Sequence, residues 1–545
     1  MHDSLQVTAT LAVASAALTA CGGGGGSTSG SISTETSGVS TTIAAASASR
    51  FLSQAAWGGN DAAIADVQSL GYEGWLDHQF TQVGLQSHFD WLKDKGYLTQ
   101  ELMFSTQGLD ATLWRKLMSS PDVLRQRMVL ALSEIFVVSP AGLPVPFNAF
   151  VCAGYLDMLE ARCFGNFRDL LEAVTLSPAM GIYLSMMGNR AEDPATGRMP
   201  DENYAREIMQ LFSIGLYRLN ADGSNRTDAQ GQPVESYDQA SVMGLAKVFT
   251  GWDMVDINGS IEVARTPMVF NASAHSPSDK SFLGVTVPAG TPGTTALKIA
   301  LDTLFGHANV GPFIGRQLIQ RLVTSNPGAA YVSRVAAAFD DNGKGERGDL
   351  QAVIKAVLLD SEARTPSVTT TQGKLREPMV RMVQWARTFA ASSPSGNWGL
   401  SDTSDPATRL AQSPLRSRSV FNFFRPDFVP SASVLPQQGL VAPEMQITHE
   451  ASVLAYLNIM QYVIHDGADD VKADYSRELA LAADAGQLVD RCNLLLAARQ
   501  LSATTVSSLV TAIATMPSAT AADKFNRVCA SVFMTMAAPE YLVLK

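Results

Sequence analysis

From about Ser47 to the C-terminus, apolar residues recur at the three- and four-residue intervals that place them on one face of a helix. The clearest start is Ser120-Pro121-Asp122, which offers a capping serine, a proline for the first turn and an acid at the positive end of the helix dipole. Val123, Leu124, Met128, Leu132, Ile135 and Phe136 follow at helical spacing. The same pattern predicts helices over 166–176, from Pro312 to the stop at Asn326-Pro327-Gly328, and over 330–339, 349–360, 377–391, 443–464, 476–499 and 521–536. The stretch 216–237 breaks the helical period. Its turn pairs Asp222-Gly223 and Gln230-Gly231 separate short alternating segments, which predicts a hairpin excursion, and 258–287 carries further short β-like runs. The expected fold is therefore mainly α: one large multi-helix globular body, or two lobes at 47–255 and 295–545, with a small β insertion around 216–290.

The first 46 residues read differently. Leu11 to Ala20 is an apolar stretch too short for a mature membrane span but of the length of a signal-peptide core. It ends in Leu18-Thr19-Ala20-Cys21, which resembles a bacterial lipobox, so residues 1–20 are expected to be a signal peptide and Cys21 the site of lipidation. Met1 to Gln6 contains no Lys or Arg, where a signal peptide normally opens with positive charge, so the expected start is atypical or lies upstream. Gly22 to Gly26 and the Ser/Thr/Gly-rich residues behind them have the composition of a flexible tether, giving a 21–46 linker before a 47–545 body. With Gly22 rather than Asp after the cysteine, the expected address is the outer membrane, facing the periplasm or the cell surface.

Composition narrows the function classes. Hydrophobic types make up 46% of the 545 residues, enough for a sizeable core, whereas the net charge of −11 and the lack of a basic run argue against nucleic acid. Beyond Cys21 there are four cysteines, and chain proximity suggests Cys152–Cys163 and Cys492–Cys529 bridges, with buried free thiols as the alternative. There is no HExxH or CxxC spacing, no GxSxG elbow, and no GxGxxG or Walker loop in the body, so no metal and no cofactor is expected. His275 near Asp279 and Lys280 falls short of a ligand set, and Asp222, Ser224, Asn225 and Asp228 miss the calcium-loop spacing.

The densest polar constellation is Pro200 to Glu207. Asn203 and Glu207 share one helix face, and Glu202 and Arg206 share the next. A desolvated Glu207 is a candidate acid or base, Asp201 a second carboxylate and Arg206 a countercharge, with Asn203 beside them. The bland reading of the same residues is a helix start with a surface Glu202–Arg206 pair. Arg416, Arg418 and Arg425 surround Phe421, Phe423 and Phe424, a pattern that suits a carbohydrate or anion surface as well as plain packing. Asn422, Arg425 and Asp427 are candidate contributors there, and Trp252 after Thr250-Gly251 is a candidate stacking wall.

The run PDENYAREIMQLFSIGLYRLNADGS (200–224) resembles the signature of a bacterial family known as domain of unknown function 1800. RQRMVLALSEIFVVS (125–139), NFRDLLEAVTLSPAMGIYL (166–184), VFTGW (248–252) and DKSFLG (279–284) agree with it. So do RQLIQRLVTSNPGAAYVSRVAAAF (316–339), REPMVR (376–381), SVFNFFRPDF (419–428) and APE (442–444), so that the resemblance covers the chain from about Ser49 onward. It implies export, no agreed activity, and a companion protein resembling sulfatases and alkaline phosphatases. It also implies a histidine in many relatives where this chain has Phe212.

Two functions compete. The first is an envelope binding or assembly protein for a glycan or a protein partner, attached to the membrane through its lipid alone. The second is a hydrolase or lyase of extracellular polysaccharide or its sulfate or phosphate esters, using Glu207 and Asp201. A deep cleft joining Glu207 and Arg206 with Asn326, Arg381 or Asp427 would favour the second.

Overall fold

Many of the helices begin where the chain offers a side-chain acceptor to their free N–H groups. In the computed structural model, which describes residues 43–255, 259–366 and 372–545, Asn60, Asn166, Asp349 and Thr520 each accept a hydrogen bond from the first turn of the helix they precede. The described residues form 22 α-helices and three two-stranded antiparallel sheets, so the fold is mainly α. Two expected long helices are each broken by a cap inside them. The stretch 443–464 is a 3-10 turn, Pro443–Ile447, followed by Glu450–Asp466, because His449 and Ser452 form a reciprocal capping box at that point. The stretch 476–499 divides into Ser476–Leu481 and Ala485–Ala497, where Asp484 accepts from the Gln487 N–H.

The excursion at 216–237 forms as its turn residues predict. Bridges join Tyr217 to Glu235, Leu219 to Asn225 and Thr227 to Pro233, and Gly223 and Gly231 both take the left-handed φ of 77° that their turns require. Trp252–Asp253 pairs with Val269–Phe270, and Lys280–Phe282 with Val285–Val287, completing the small β insertion. The third sheet joins Lys374–Leu375 to Val543–Leu544 near the C-terminus.

Buried side chains gather into two clusters. The first is drawn mainly from 48–363 and the second mainly from 379–541, so helices on both sides of 255–295 belong to one core. Two helices serve both cores. Leu109–Ser119 sends Leu113 to the first and Trp114, Leu117 and Met118 to the second; Val123–Ser133 sends Met128 and Leu132 to the first and Leu130 to the second. A helix packed on both sides has no solvent face, so the charged residues it carries are buried too.

Cys21 and the proposed signal segment and most of the tether lie outside the described residues, as does Asn258. The bridges suggested by chain proximity are not formed: Cys152, Cys163, Cys492 and Cys529 are all free and buried. Burial in apolar surroundings pushes each thiol up to about 12. Among the described residues no helix is long and apolar enough to cross a membrane. These four thiols should resist a thiol-specific reagent in the native protein and react on unfolding in guanidinium, and a reductant should leave the melting temperature unchanged. A reductant-dependent melting temperature would contradict the free-thiol assignment.

Candidate functional site: a cleft over a buried ionic floor

A cleft of about 530 Å³ opens between the end of the helix Asn203–Gln210, the hairpin excursion, the helix Val310–Leu322 and the loop 420–427. Its walls are largely apolar and aromatic, with Leu211, Leu216, Phe313 and Phe421 among them. Gly215 lies in the wall with φ at 71°, and a Cβ there would stand 2.8 Å from the Phe313 ring, so glycine serves both the turn and the close approach.

Two buried amides hold the walls in place. Asn309, 2% exposed, donates from Nδ2 to the Ile214 and Tyr217 carbonyls at 2.7 and 2.8 Å and accepts the Leu219 N–H at 2.9 Å. This one side chain fixes the return of the chain from helix to hairpin. On the opposite side, Gln320 donates to the Ser325 and Pro426 carbonyls at 3.0 and 3.2 Å, tying the 420–427 loop to the helix below it.

The floor is charged. Glu134 and Arg321, each 6% exposed, line the cleft, with Arg321 Nε 3.4 Å from Glu134 Oε2. Behind them Lys374 lies 3.4 Å from Glu377 and 3.1 Å from Glu444, and Gln412 donates to Glu377 at 2.7 Å. Arg127 and Lys374 both donate to the Arg321 carbonyl, at 2.6 and 2.9 Å, placing two cations at the negative end of the helix Val310–Leu322. Burial and then the Glu377 charge raise Glu134 well above the ordinary carboxyl value, with Arg321 opposing. Glu377 is just as buried, but Lys374, the hydrogen bond with Glu134 and Arg127 outweigh that burial and hold it low. The environment therefore favours the neutral form of Glu134 and the ionised form of Glu377.

The sequence-derived candidates divide by position. Arg425 and Asp427 line the cleft, and Asn422 lies below it in a small void that Glu134 also lines. Asn422 sits at φ 60° with its Nδ2 buried and unpartnered. Asn326 exchanges both amide atoms with the Val441 backbone at 2.9 Å, and Arg381 donates to the Arg376 carbonyl at 2.7 Å while covering the Tyr456 ring. Trp252 is 4% exposed and packs against Phe270 in the β insertion.

The Pro200–Glu207 group is spread over several settings. Asp201 accepts the Asn203 N–H at 2.8 Å, exposed Asn203 starts the helix, and Arg206 pairs with Glu202 at 3.1 Å on the surface. Such an exposed pair contributes only a few tenths of a kcal/mol, roughly. Glu207 is 8% exposed, is raised by burial with Arg206 opposing, and has Oε2 unpartnered, yet it lines none of the clefts described here. Arg206 borders a second, smaller cleft of about 250 Å³ that shares Gln210, Leu216 and Tyr217 with the first. Of the other arginines near the aromatic run, Arg416 is engaged with both oxygens of Asp110 and Arg418 is exposed.

Sequence reasoning passes over Glu134, Gln317, Arg321, Lys374, Glu377 and Glu444. The signal that could have found them is a charge inside an apolar helical stripe, as at Glu134 between Leu132 and Ile135 or Arg321 between Ile319 and Leu322. A second polar group emerges at His88, Asp157 and Glu160, whose ligand-type atoms lie within 4.8 Å of one another. Those atoms already have partners. Asp157 accepts the His88 and Phe89 N–H groups, while Glu160 accepts from Lys116 at 2.5 Å and Gln126 at 3.1 Å and contacts His88 at 3.2 Å. Burial would raise Glu160, but His88 and Lys116 outweigh it and hold the carboxyl at about 2. The arrangement is a hydrogen-bonded ionic network that pins the helix His88–Asp94.

Two predictions follow from this geometry. Asn309→Ala leaves the Ile214, Tyr217 and Leu219 backbone groups unpartnered and should cost about 1–3 kcal/mol, read as a lower denaturant midpoint. In the folded protein Glu134 faces Arg127, Arg321, Lys374, Glu377 and Glu444. Its raised value means that stability from this group is complete below the ordinary value of 4.5 and is lost as pH rises towards the folded value. Glu134→Gln has no carboxyl to ionise, so the wild-type midpoint should fall relative to the variant as pH rises above 4.5; parallel profiles would show that the Glu134 carboxyl is not raised.

A family model described as a protein of unknown function, DUF1800, matches residues 50–543. No curated protein and no solved structure matches the chain. The runs 125–139, 200–224, 316–339 and 419–428, which carry the sequence resemblance, all supply walls or floor of the one cleft, and 376–381 and 442–444 supply Glu377 and Glu444 behind it. Since the match spans nearly the whole helical body, the chain belongs to the DUF1800 family.

Proposed function

We propose that this protein is an exported, lipid-anchored member of its family that binds a glycan of the cell envelope in the 530 Å³ cleft. The observation that carries the reading is the make-up of that cleft. Apolar and aromatic faces from Phe313, Phe421 and Tyr217 stand beside Gln210, Asn225, Gln317 and Gln320, whose amides can direct hydrogen bonds at hydroxyl groups. A saccharide presents the matching chemistry, with C–H faces for the rings and a rim of hydroxyls for the amides. Export and anchoring rest on the Leu18-Thr19-Ala20-Cys21 motif and the glycine-rich stretch after it. The companion proposed with it is a sulfatase-like or alkaline-phosphatase-like protein, which the sequence resemblance implies.

A second reading, a hydrolase or lyase working on the same class of polymer, draws on a different observation. Glu134, whose pKa burial raises, lies at the floor of the cleft with Glu377, held low, behind it. A carboxyl raised in this way is what general acid catalysis needs. In that case Glu134, which lines the cleft, is the acid, and Glu207, which does not, is a structural carboxyl.

Phe421→Ala should weaken binding of an envelope oligosaccharide roughly tenfold, about 1.4 kcal/mol, while leaving the melting temperature unchanged, because the ring is part of the wall and not of either core. Unaltered binding by this variant would remove the cleft from the account. Cys21→Ser should abolish palmitate incorporation and release the protein from the membrane fraction; retention there would end the anchoring proposal.

A further inference from the structure

The cleft carries positive charge on a chain whose formal net charge is −11. Its charged lining residues are Arg316, Arg321 and Arg425 against Glu134 and Asp427. Arg316 makes one contact, 3.5 Å from Nη1 to the Gly223 carbonyl, and Arg425 lies over the Phe421 ring at 4.5 Å. Among the described residues neither arginine is in an ion pair, so both guanidinium groups keep donors for a ligand. Gln317, 8% exposed, has its Nε2 buried and without a partner. Its Oε1 accepts from Arg321 Nη1 at 3.4 Å, which fixes the orientation of the amide and leaves the N–H₂ end unsatisfied. Arg316, Gln317, Gln320 and Arg321 stand at positions of the helix Val310–Leu322 that share one broad face, and of these Arg316 and Gln317 keep donors that no protein group takes up.

We propose that the cleft is selective for acidic saccharides, with Arg316, Gln317 and Arg425 receiving a carboxylate or sulfate group of the sugar while Phe421 packs on its ring. The inference rests on the glycan reading above and narrows its ligand class. A buried donor without an acceptor is destabilising, and an anionic oxygen is the group that best relieves Gln317 Nε2 in a cleft lined by arginines. Planar, bidentate donation by arginine suits carboxylate and sulfate oxygens alike. The floor adds to this field. In the buried group of Arg127, Glu134, Arg321, Lys374, Glu377 and Glu444, burial favours the neutral form of Glu134, which shifts the balance of the group towards positive charge. Asp427 is the remaining acid of the lining, and its exposure to water weakens its opposing effect.

The test is calorimetric binding by the full chain. Trigalacturonate is compared with its uncharged methyl ester, and a short sulfated dextran with the matching unsulfated dextran. The acidic member of at least one pair should bind tenfold or more tightly than its neutral partner, and the pair that shows this identifies carboxylate or sulfate as the recognised group. The double variant Arg316→Gln, Arg425→Gln should abolish the preference, whereas Lys344→Gln, on an exposed loop outside the lining, should keep it. Equal binding of acidic and neutral partners, or a preference that survives in the double variant, overturns the acidic-ligand inference and leaves the glycan reading standing. Binding of no member of either pair overturns both.

Discussion

Six buried ionisable groups hold the two cores of this protein together. Arg127 comes from a helix shared by both cores, Glu134 from the end of that helix, and Arg321 from the helix Val310–Leu322 of the first core. Lys374, Glu377 and Glu444 come from segments that lead into the second. Removing such charges from water is costly, and isolated buried ion pairs are often no more stable than apolar residues of the same size. Here the cost is offset by distribution. Lys374 is shared between two carboxylates and a helix-end carbonyl, Arg321 reaches both the side chain and the carbonyl of Glu134, and Gln412 satisfies Glu377. Loss of any one member would strand its partners, which makes the junction a strict geometric constraint.

The cleft is built on that constraint. Its floor is the exposed edge of the ionic group, so the positions of Glu134 and Arg321 are set by the packing of two cores and not by flexible surface loops. Its walls, in contrast, include loops pinned by buried amides, Asn309 for the hairpin side and Gln320 for the 420–427 side. A fixed polar floor below locally anchored walls is an arrangement in which recognition groups are pre-organised, so that little ordering cost falls on ligand binding.

Much of the fold could be read from local chemistry. Asn166, Asp349 and Thr520 cap helices close to the expected starts, and Asp222-Gly223 and Gln230-Gly231 turn the hairpin as their residue types require. Helix interruptions at His449 and Asp484 were harder, because a capping side chain within an apolar run looks like any polar residue until its hydrogen bond is seen. Of the site, Arg425 and Asp427 were legible as charge beside aromatics, and both line the cleft. The floor was not legible. Arg127, Glu134, Arg321, Glu377 and Glu444 meet across separations of up to hundreds of residues, and a charge inside an apolar stripe, as at Glu134 or Arg321, does not say which distant charges it meets. Helix Val123–Ser133 compounds the difficulty, because its apolar stripe is legible but Gln126 and Arg127, off that stripe, are buried as well.

The binding and catalytic readings then turn on what Glu134 can reach. Its proton is stabilised by burial and by Glu377, and both influences come from behind the cleft, through the ionic junction. A ligand anion arriving beside Arg321 would draw that arginine's field away from Glu134 and strengthen the hold on the proton. Acidic ligands would therefore favour the neutral form of Glu134, which is also the form that could give a proton to a leaving oxygen. Transfer further requires a second group to activate water, and Asp427 is the other carboxyl in the lining, on the exposed rim. An anion-binding floor needs only the groups already held rigid by the two cores, whereas hydrolysis also needs the rim to come into register. That difference in requirement is why we propose binding ahead of hydrolysis.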